Sequence, residues 1–232
     1  LLDKKKFETW FTVWAQSLVN ILPKDIINID GKSIKGSKTK GKKATHLLNA
    51  FAKKQGIIIG QKTVGEKTNE IPEIPKLLDE LNIKGTTVTI DALGCQKNIA
   101  AKIISKEANY FLGLKSNQRS LYEAAKYLFI DKEKTTEYFD YFSERNSGHG
   151  RIEWRKCWST TLPKWFKTIS SDWKNLRSIC MIESERHIGN KRSIEQRLYI
   201  SNEKLSAKNG LNYARSHWSI ENQVHYVLDV TF

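Results

Sequence analysis

Hydrophobic positions along the chain switch between two periods. Phe7, Trp10, Phe11, Trp14 and Leu18 recur every three or four residues among Lys, Glu, Thr and Gln, which predicts an amphipathic helix over 2–20 that Pro23 ends. The β-branched run Ile26-Ile27-Asn28-Ile29-Asp30 predicts a buried strand that closes on an acid and stops at Gly31. Two more strand-like runs, 46–52 and 57–64, flank a turn at Gly56, so the three strands predict a meander. The helical period returns after Asn69-Glu70-Ile71-Pro72 and runs through Ile74, Leu77, Leu78 and Leu81. Thr86-Thr87-Val88-Thr89-Ile90-Asp91 is a second β-branched run ending on an acid, followed by a helix over about 96–107, a strand from Tyr110 to Lys115 and a helix near 119–129. Residues 136–200 are rich in Trp and in short β-like stretches, and read as a β-rich insertion; a last helix follows over about 208–228. The chain therefore divides into an entry helix (1–22), the first part of an α/β core (23–130), an insertion (131–205) and a closing helix of the core (206–232).

Composition narrows the function. With 232 residues, 39% of them hydrophobic, the chain can bury a core without disulfides. Its Cys residues, Cys95, Cys157 and Cys180, form no Cys-x-x-Cys pair, so neither a disulfide framework nor a thiolate zinc site is supported and a reducing compartment is expected. No apolar run approaches the ~18–20 residues that span a bilayer, and the opening Leu1-Leu2-Asp3-Lys4-Lys5-Lys6 lacks the apolar core of a signal peptide, so no membrane partner is expected. The chain opens without Met and closes on the apolar pattern Val230-Thr231-Phe232, which reads as a segment of a longer protein. Lys and Arg number 39 against 25 Asp and Glu, and the net charge of +14 points to a polyanionic partner, nucleic acid first. Six Lys and no acid lie between Lys32 and Lys43, mixed with Gly and Ser, which is the make-up of a mobile basic loop.

Two strands that each end on a lone Asp form the leading chemical signal. If Asp30 and Asp91 stand side by side, they attract a hard cation such as Mg²⁺, which takes carboxylates, waters and phosphate oxygens. The competing reading is that each caps a turn. On the last helix His217, Glu221 and His225 follow at i, i+4 and i+8, open to three readings: Glu221 as a third carboxylate, a zinc site, or a solvated polar stripe. Asp229 is a weaker alternative acid, and Lys115 and Asn117, after the last core strand, are placed to touch phosphate. Trp154, Trp158, Trp165 and Trp173 interleave with Arg151, Arg155, Lys156, Lys164 and Lys174, either as a stacking clamp on DNA or as the core of the β-rich region.

Six motifs occur in a recognisable order: Ile29-Asp30-Gly31-Lys32-Ser33, Glu66-Lys67-Thr68-Asn69-Glu70-Ile71-Pro72, Thr89-Ile90-Asp91-Ala92-Leu93-Gly94-Cys95-Gln96-Lys97, Leu114-Lys115-Ser116-Asn117-Gln118, His149-Gly150-Arg151-Ile152-Glu153 and His217-Trp218-Ser219-Ile220-Glu221-Asn222. Over nearly its whole length the chain resembles insertion-sequence DDE transposases of the H-repeat-associated type. The resemblance implies a ribonuclease H-like α/β core, a mixed five-stranded sheet with flanking helices, with a β-rich insertion before the last catalytic helix. It implies Asp30, Asp91 and Glu221 as catalytic carboxylates holding two divalent ions, Mg²⁺ or Mn²⁺, for DNA cleavage and strand transfer. Lys32, Lys35, Lys115, Asn117, Arg151, Arg155 and His217 are the expected DNA contacts. The expected partner is double-stranded DNA, both transposon ends and target, with a homodimer on DNA as one arrangement and a cytoplasmic, nucleoid-associated location. In the wider group Tyr, Arg and Lys flank the last acid where this chain has Ala214, His217 and Leu228, so those DNA contacts do not carry over. Two rivals stay open: a DNA-binding remnant without catalysis, and a stand-alone nuclease on the same core.

Overall fold

A computed structural model describes residues 3–38, 44–65, 69–132, 136–148 and 150–231. Helix α1 (Lys4–Ser17) leads into the antiparallel strands β1 (Ile26–Ile34), β2 (Thr45–Ala52) and β3 (Ile57–Val64). Helix α2 (Glu73–Glu80), β4 (Thr87–Ile90), α3 (Lys97–Ser105), β5 (Asn109–Leu114) and α4 (Arg119–Leu128) complete the first half. β4 runs parallel to both β1 and β5, so the core has the order β3-β2-β1-β4-β5. This is the ribonuclease H-like arrangement that the resemblance implies.

The second half does not form a separate layer. β6 (Asp140–Gly148), β7 (Arg151–Thr161), β8 (Ser178–Ile188) and β9 (Lys191–Ser201), with the short helix α5 (Phe166–Ile169) between β7 and β8, make an antiparallel meander. β9 docks on β5, so the five expected strands extend into one nine-stranded sheet, β3-β2-β1-β4-β5-β9-β8-β7-β6. The cause is open backbone at the β5 edge: its N–H and C=O groups need partners, and β9 supplies them from Phe111↔Ser201 to Leu114↔Leu198.

The sheet is covered on both faces. Alternation along β1 sends Ile27 and Ile29 into a large apolar cluster with Ile74, Leu77 and Leu78 of α2 and Ile99 and Ile103 of α3. The opposite face packs Phe111, Cys157, Cys180 and Tyr199 against Leu211 and Ala214 of α6 (Ala207–Ile220). Beyond α6 the chain makes a π-helical turn (Glu221–His225) and continues as α7 (Tyr226–Thr231), so the single helix expected over 208–228 is interrupted. The Tyr226 amide bonds back to the Glu221 carbonyl, one residue further than in an α-helix. Among the described residues no helix is long and apolar enough to cross a membrane.

Another boundary also shifts. β1 does not stop at Gly31 but continues to Ile34, because β2 stays paired with it through Gly31↔Leu48 and Ile34↔Thr45. Lys32 and Ser33 thus belong to a strand, and residues 39–43 of the expected basic loop lie outside the described residues.

The start of α6 is capped twice. Ser206 Oγ accepts from the Asn209 amide (3.2 Å), and Asp140 Oδ2, at the start of β6, accepts from the Ala207 amide (2.7 Å). Ser206→Ala and Asp140→Ala are each expected to lower stability by about 1 kcal/mol in urea denaturation, the usual worth of a lost cap. No change in either would mean that α6 begins without these caps.

Candidate active site

Backbone register sets up the site. β1 and β4 are parallel, with Ile29 level with Ile90, so Asp30 and Asp91 follow at the same height on strands ~4.8 Å apart. Alternation along β1 sends the Asp30 side chain to the α6 side of the sheet, as it does Asn28 two residues earlier. Asp91 stands just past the end of β4, while Asp30 lies within β1 at the point where its parallel partner leaves.

Below the two acids lies a polar seam. Asn28 is fully buried; its Nδ2 donates to the Ser216 carbonyl (2.8 Å) and to Ser219 Oγ (3.3 Å), and its Oδ1 accepts from Thr89 Oγ1 (2.8 Å) and Ser216 Oγ (3.3 Å). Thr89 has then spent its only hydrogen, so the His217 ring must donate from Nδ1 to Thr89 Oγ1 (3.0 Å). Burial holds that ring neutral, with its pKa lowered from the ordinary 6.5 to about 4. On either side, Leu211 and Ala214 pack into one apolar cluster and Ile220 and Val224 into another around Phe51.

The π-turn carries the helix past the acids. Glu221 is exposed at its first position, and His225, only 7% exposed, ends it with Nδ1 3.6 Å from Asp30 Oδ2. Among the described residues His225 Nε2 is buried and has no hydrogen-bond partner. Asp30 Oδ1 accepts from the Gly31 amide (2.9 Å), and Asp91 Oδ1 from the Leu93 and Gly94 amides (3.0 and 3.3 Å), so Asp91 also caps a turn. Burial lifts the Asp30 carboxyl to about 7, and the charges of Asp91, Glu70 and Glu221 push the same way.

These groups suit a hard cation by donor type and charge, since carboxylates that repel one another are relieved by a divalent ion. Their side chains are not drawn around one point: among the described residues no three His, Cys, Asp or Glu are gathered closely enough to hold a metal. The zinc reading of the helical stripe loses its basis, because His217 is bonded to Thr89 and His225 faces Asp30.

Several expected DNA contacts are engaged elsewhere. Arg155 is buried against Glu153 (2.5 Å), with Glu144 at 3.4 Å, which corrects its placement on a DNA surface. Lys32 pairs with Asp229 (2.6 Å), tying β1 to α7. His217 is held in the polar seam, its ring bonded to Thr89. Asn117 donates to the Ala92 carbonyl (2.7 Å) and steadies the loop after Asp91, and Gly113 lets that loop lie close to β5, because a Cβ there would stand 3.1 Å from the Ala92 amide nitrogen. Lys115 and Arg151 are exposed; the Lys35 side chain lies outside the described residues. Of the four interleaved Trp, Trp158 and Trp173 are core and Trp165 is exposed, while Trp154 packs on His187 and Arg145.

Two outcomes follow. Asn28→Ala would strip Thr89 and Ser216 of buried partners and is expected to cost about 2–4 kcal/mol in urea denaturation; a loss under 1 kcal/mol would show that the seam does not anchor α6. The His217 ring is expected to stay neutral at pH 5.5 by histidine NMR. Unfolded chain takes up that proton below about 6.5 while the folded ring does not until about 4, so this contribution to stability is lost as pH falls through that window. A midpoint near 6.5 in the folded protein would overturn it.

The family described as a transposase DDE domain matches residues 21–232. The chain is 39% identical over 234 residues to the "Putative transposase YncI" of Escherichia coli O157:H7, covering 99% of this chain and 60% of that protein. It is 36% identical over 235 residues to the "H repeat-associated putative transposase YhhI" of Escherichia coli strain K12, covering 99% and 62%. The chain thus spans about three-fifths of the length of these relatives. A piggyBac transposase in a synaptic complex with hairpin DNA aligns over 90% of this chain and 41% of its own, at 11% identity and a TM-score of 0.47.

Proposed function

The chain belongs to the DDE transposase family, and from that premise we propose that Asp30, Asp91 and Glu221 are its catalytic carboxylates, acting on DNA phosphodiesters. The observation that carries this reading is the β1–β4 register, which sets Asp30 beside Asp91 beneath the helix bearing Glu221.

In this reading the three carboxylates hold divalent ions, Mg²⁺ or Mn²⁺. Such ions supply activation of the attacking oxygen and neutralisation of charge on the leaving one. Asp30 and Asp91 are rigid: backbone amides fix one oxygen of each, and the Asn28–Thr89 seam fixes the strands beneath. Glu221 is exposed, so its side chain can turn toward them. Water attacks phosphorus and displaces a 3′ oxygen; the freed 3′-hydroxyl then attacks a target phosphate, one P–O bond forming as another breaks. Exposed Lys115 and Arg151, with the basic segment around Lys35, offer positive charge for the phosphate backbone, whose neutralisation dominates affinity for DNA. The DNA belongs to the transposon ends and their target, in the cytoplasm with the nucleoid. Residues 23–130 and 206–232 make up the catalytic core in this reading, and 131–205 extend its sheet.

The test is a cleavage and strand-transfer assay on transposon-end DNA with Mg²⁺. Asp30→Asn, Asp91→Asn and Glu221→Gln are each expected to lower the rate by at least about 10³-fold, the equivalent of several kcal/mol of charge stabilisation. Undiminished cleavage by any one of them removes that residue from the mechanism.

A further inference from the structure

On the face of β1 opposite the polar seam, three side chains form a line. Ser33 and His46 are paired across β1 and β2, and Ser33 Oγ lies 2.9 Å from His46 Nδ1. His46 Nε2 lies 2.6 Å from Glu70 Oε1. The Glu70 backbone is fixed as well, because its carbonyl accepts from the Glu73 and Ile74 amides where α2 begins. This line meets β1 at Gly31, the residue after Asp30. A Cβ at Gly31 would stand 2.0 Å from Glu70 Oε1 and 2.6 Å from His46 Nε2, so the carboxylate occupies the space where a side chain would be. Glu70 therefore reaches the backbone beside Asp30 from the far side of the sheet.

We propose that Glu70 is a fourth acidic residue of the Asp30–Asp91 site, a positioning residue clamped by His46 and Ser33 that strengthens retention of the divalent ion. The proposal rests on the catalytic reading above and deepens it. Three observations support it. The Glu70 carboxylate abuts the backbone of Gly31, the residue that follows Asp30. His46 occupies one Glu70 oxygen, so the carboxylate acts through its field rather than as a direct ligand. On the α6 face His225, with Nε2 lacking a partner among the described residues, completes a polar surround of Asp30. Groups that orient and charge a metal site from outside its ligand shell commonly change affinity 10–100-fold.

The test is Mn²⁺ binding to the whole chain, without DNA, followed by electron paramagnetic resonance of the free ion. Wild type is expected to bind, Asp30→Asn to lose binding, and Glu70→Gln to raise the Kd by roughly 10–100-fold. Gly31→Ala moves the Glu70 carboxylate away without changing any charge and is expected to weaken binding in the same direction. In cleavage assays the Mg²⁺ concentration at half-maximal rate should rise in Glu70→Gln while the rate at saturating Mg²⁺ is recovered, a split that damaged folding does not produce. Should Glu70→Gln fail to fold by circular dichroism, His46→Gln, which keeps the carboxylate and removes its clamp, carries the same expectation. Wild-type Mn²⁺ affinity in the folded Glu70 variant, or in its His46 substitute, overturns this inference while leaving the catalytic reading intact. Wild-type affinity in Asp30→Asn overturns the catalytic reading itself.

Discussion

A helix laid on a sheet by apolar contact alone can shift along its axis at little cost, because one Leu or Ala side chain replaces another in the same groove. Asn28 removes that freedom. Fully buried, it bonds Thr89 on one side and both Ser216 and Ser219 of α6 on the other, and a shift of one turn would leave all of these polar atoms dry and unpaired. The helix position, and with it the height at which Glu221 passes the two Asp residues, is specified by hydrogen bonds. The apolar clusters on either side add adhesion but not register.

The meander serves the same end from the other direction. By extending the sheet through β5 it presents a broad surface to the first turns of α6, and its side chains hold that helix at several points. Asp140 caps its first amide, Glu144 pairs with Arg215 (2.8 Å), and Arg197 lies over the Trp218 ring at 4.4 Å. Ser159 donates to the Leu205 carbonyl (2.6 Å) just ahead of the helix. Insertion and core are thus one mechanical unit, although the sequence between them reads as a change of character.

How far the sequence could be read depended on whether the controlling interaction was local. The strands bearing Asp30 and Asp91 were legible because β-branched runs declare themselves within a few residues. The π-turn was not, since the choice between bonding four or five residues back is made by what His225 and Val224 meet on the sheet. Gly31 read as a strand terminator, whereas its lack of a side chain makes room for Glu70, a residue on another element. Arg155 read as part of a basic surface because it stands among Trp154, Trp158 and other cations along the chain. Burial and pairing across β6, β7 and β8 decide otherwise.

The order in which the acids enter the fold has a consequence for the chain as it leaves the ribosome. Asp30 and Asp91 meet through contacts confined to the first part of the chain, and synthesis proceeds from the N-terminus at about 5–20 residues per second. Glu221 lies beyond the whole meander, and the open edge of β5 must wait for β9 before the surface that receives α6 is complete. A partly made chain holds a pair of repelling acids and an unpaired strand edge, exposed to other nascent chains in the interval. Arrival of Glu221 is thereby coupled to closure of the last strand pairing.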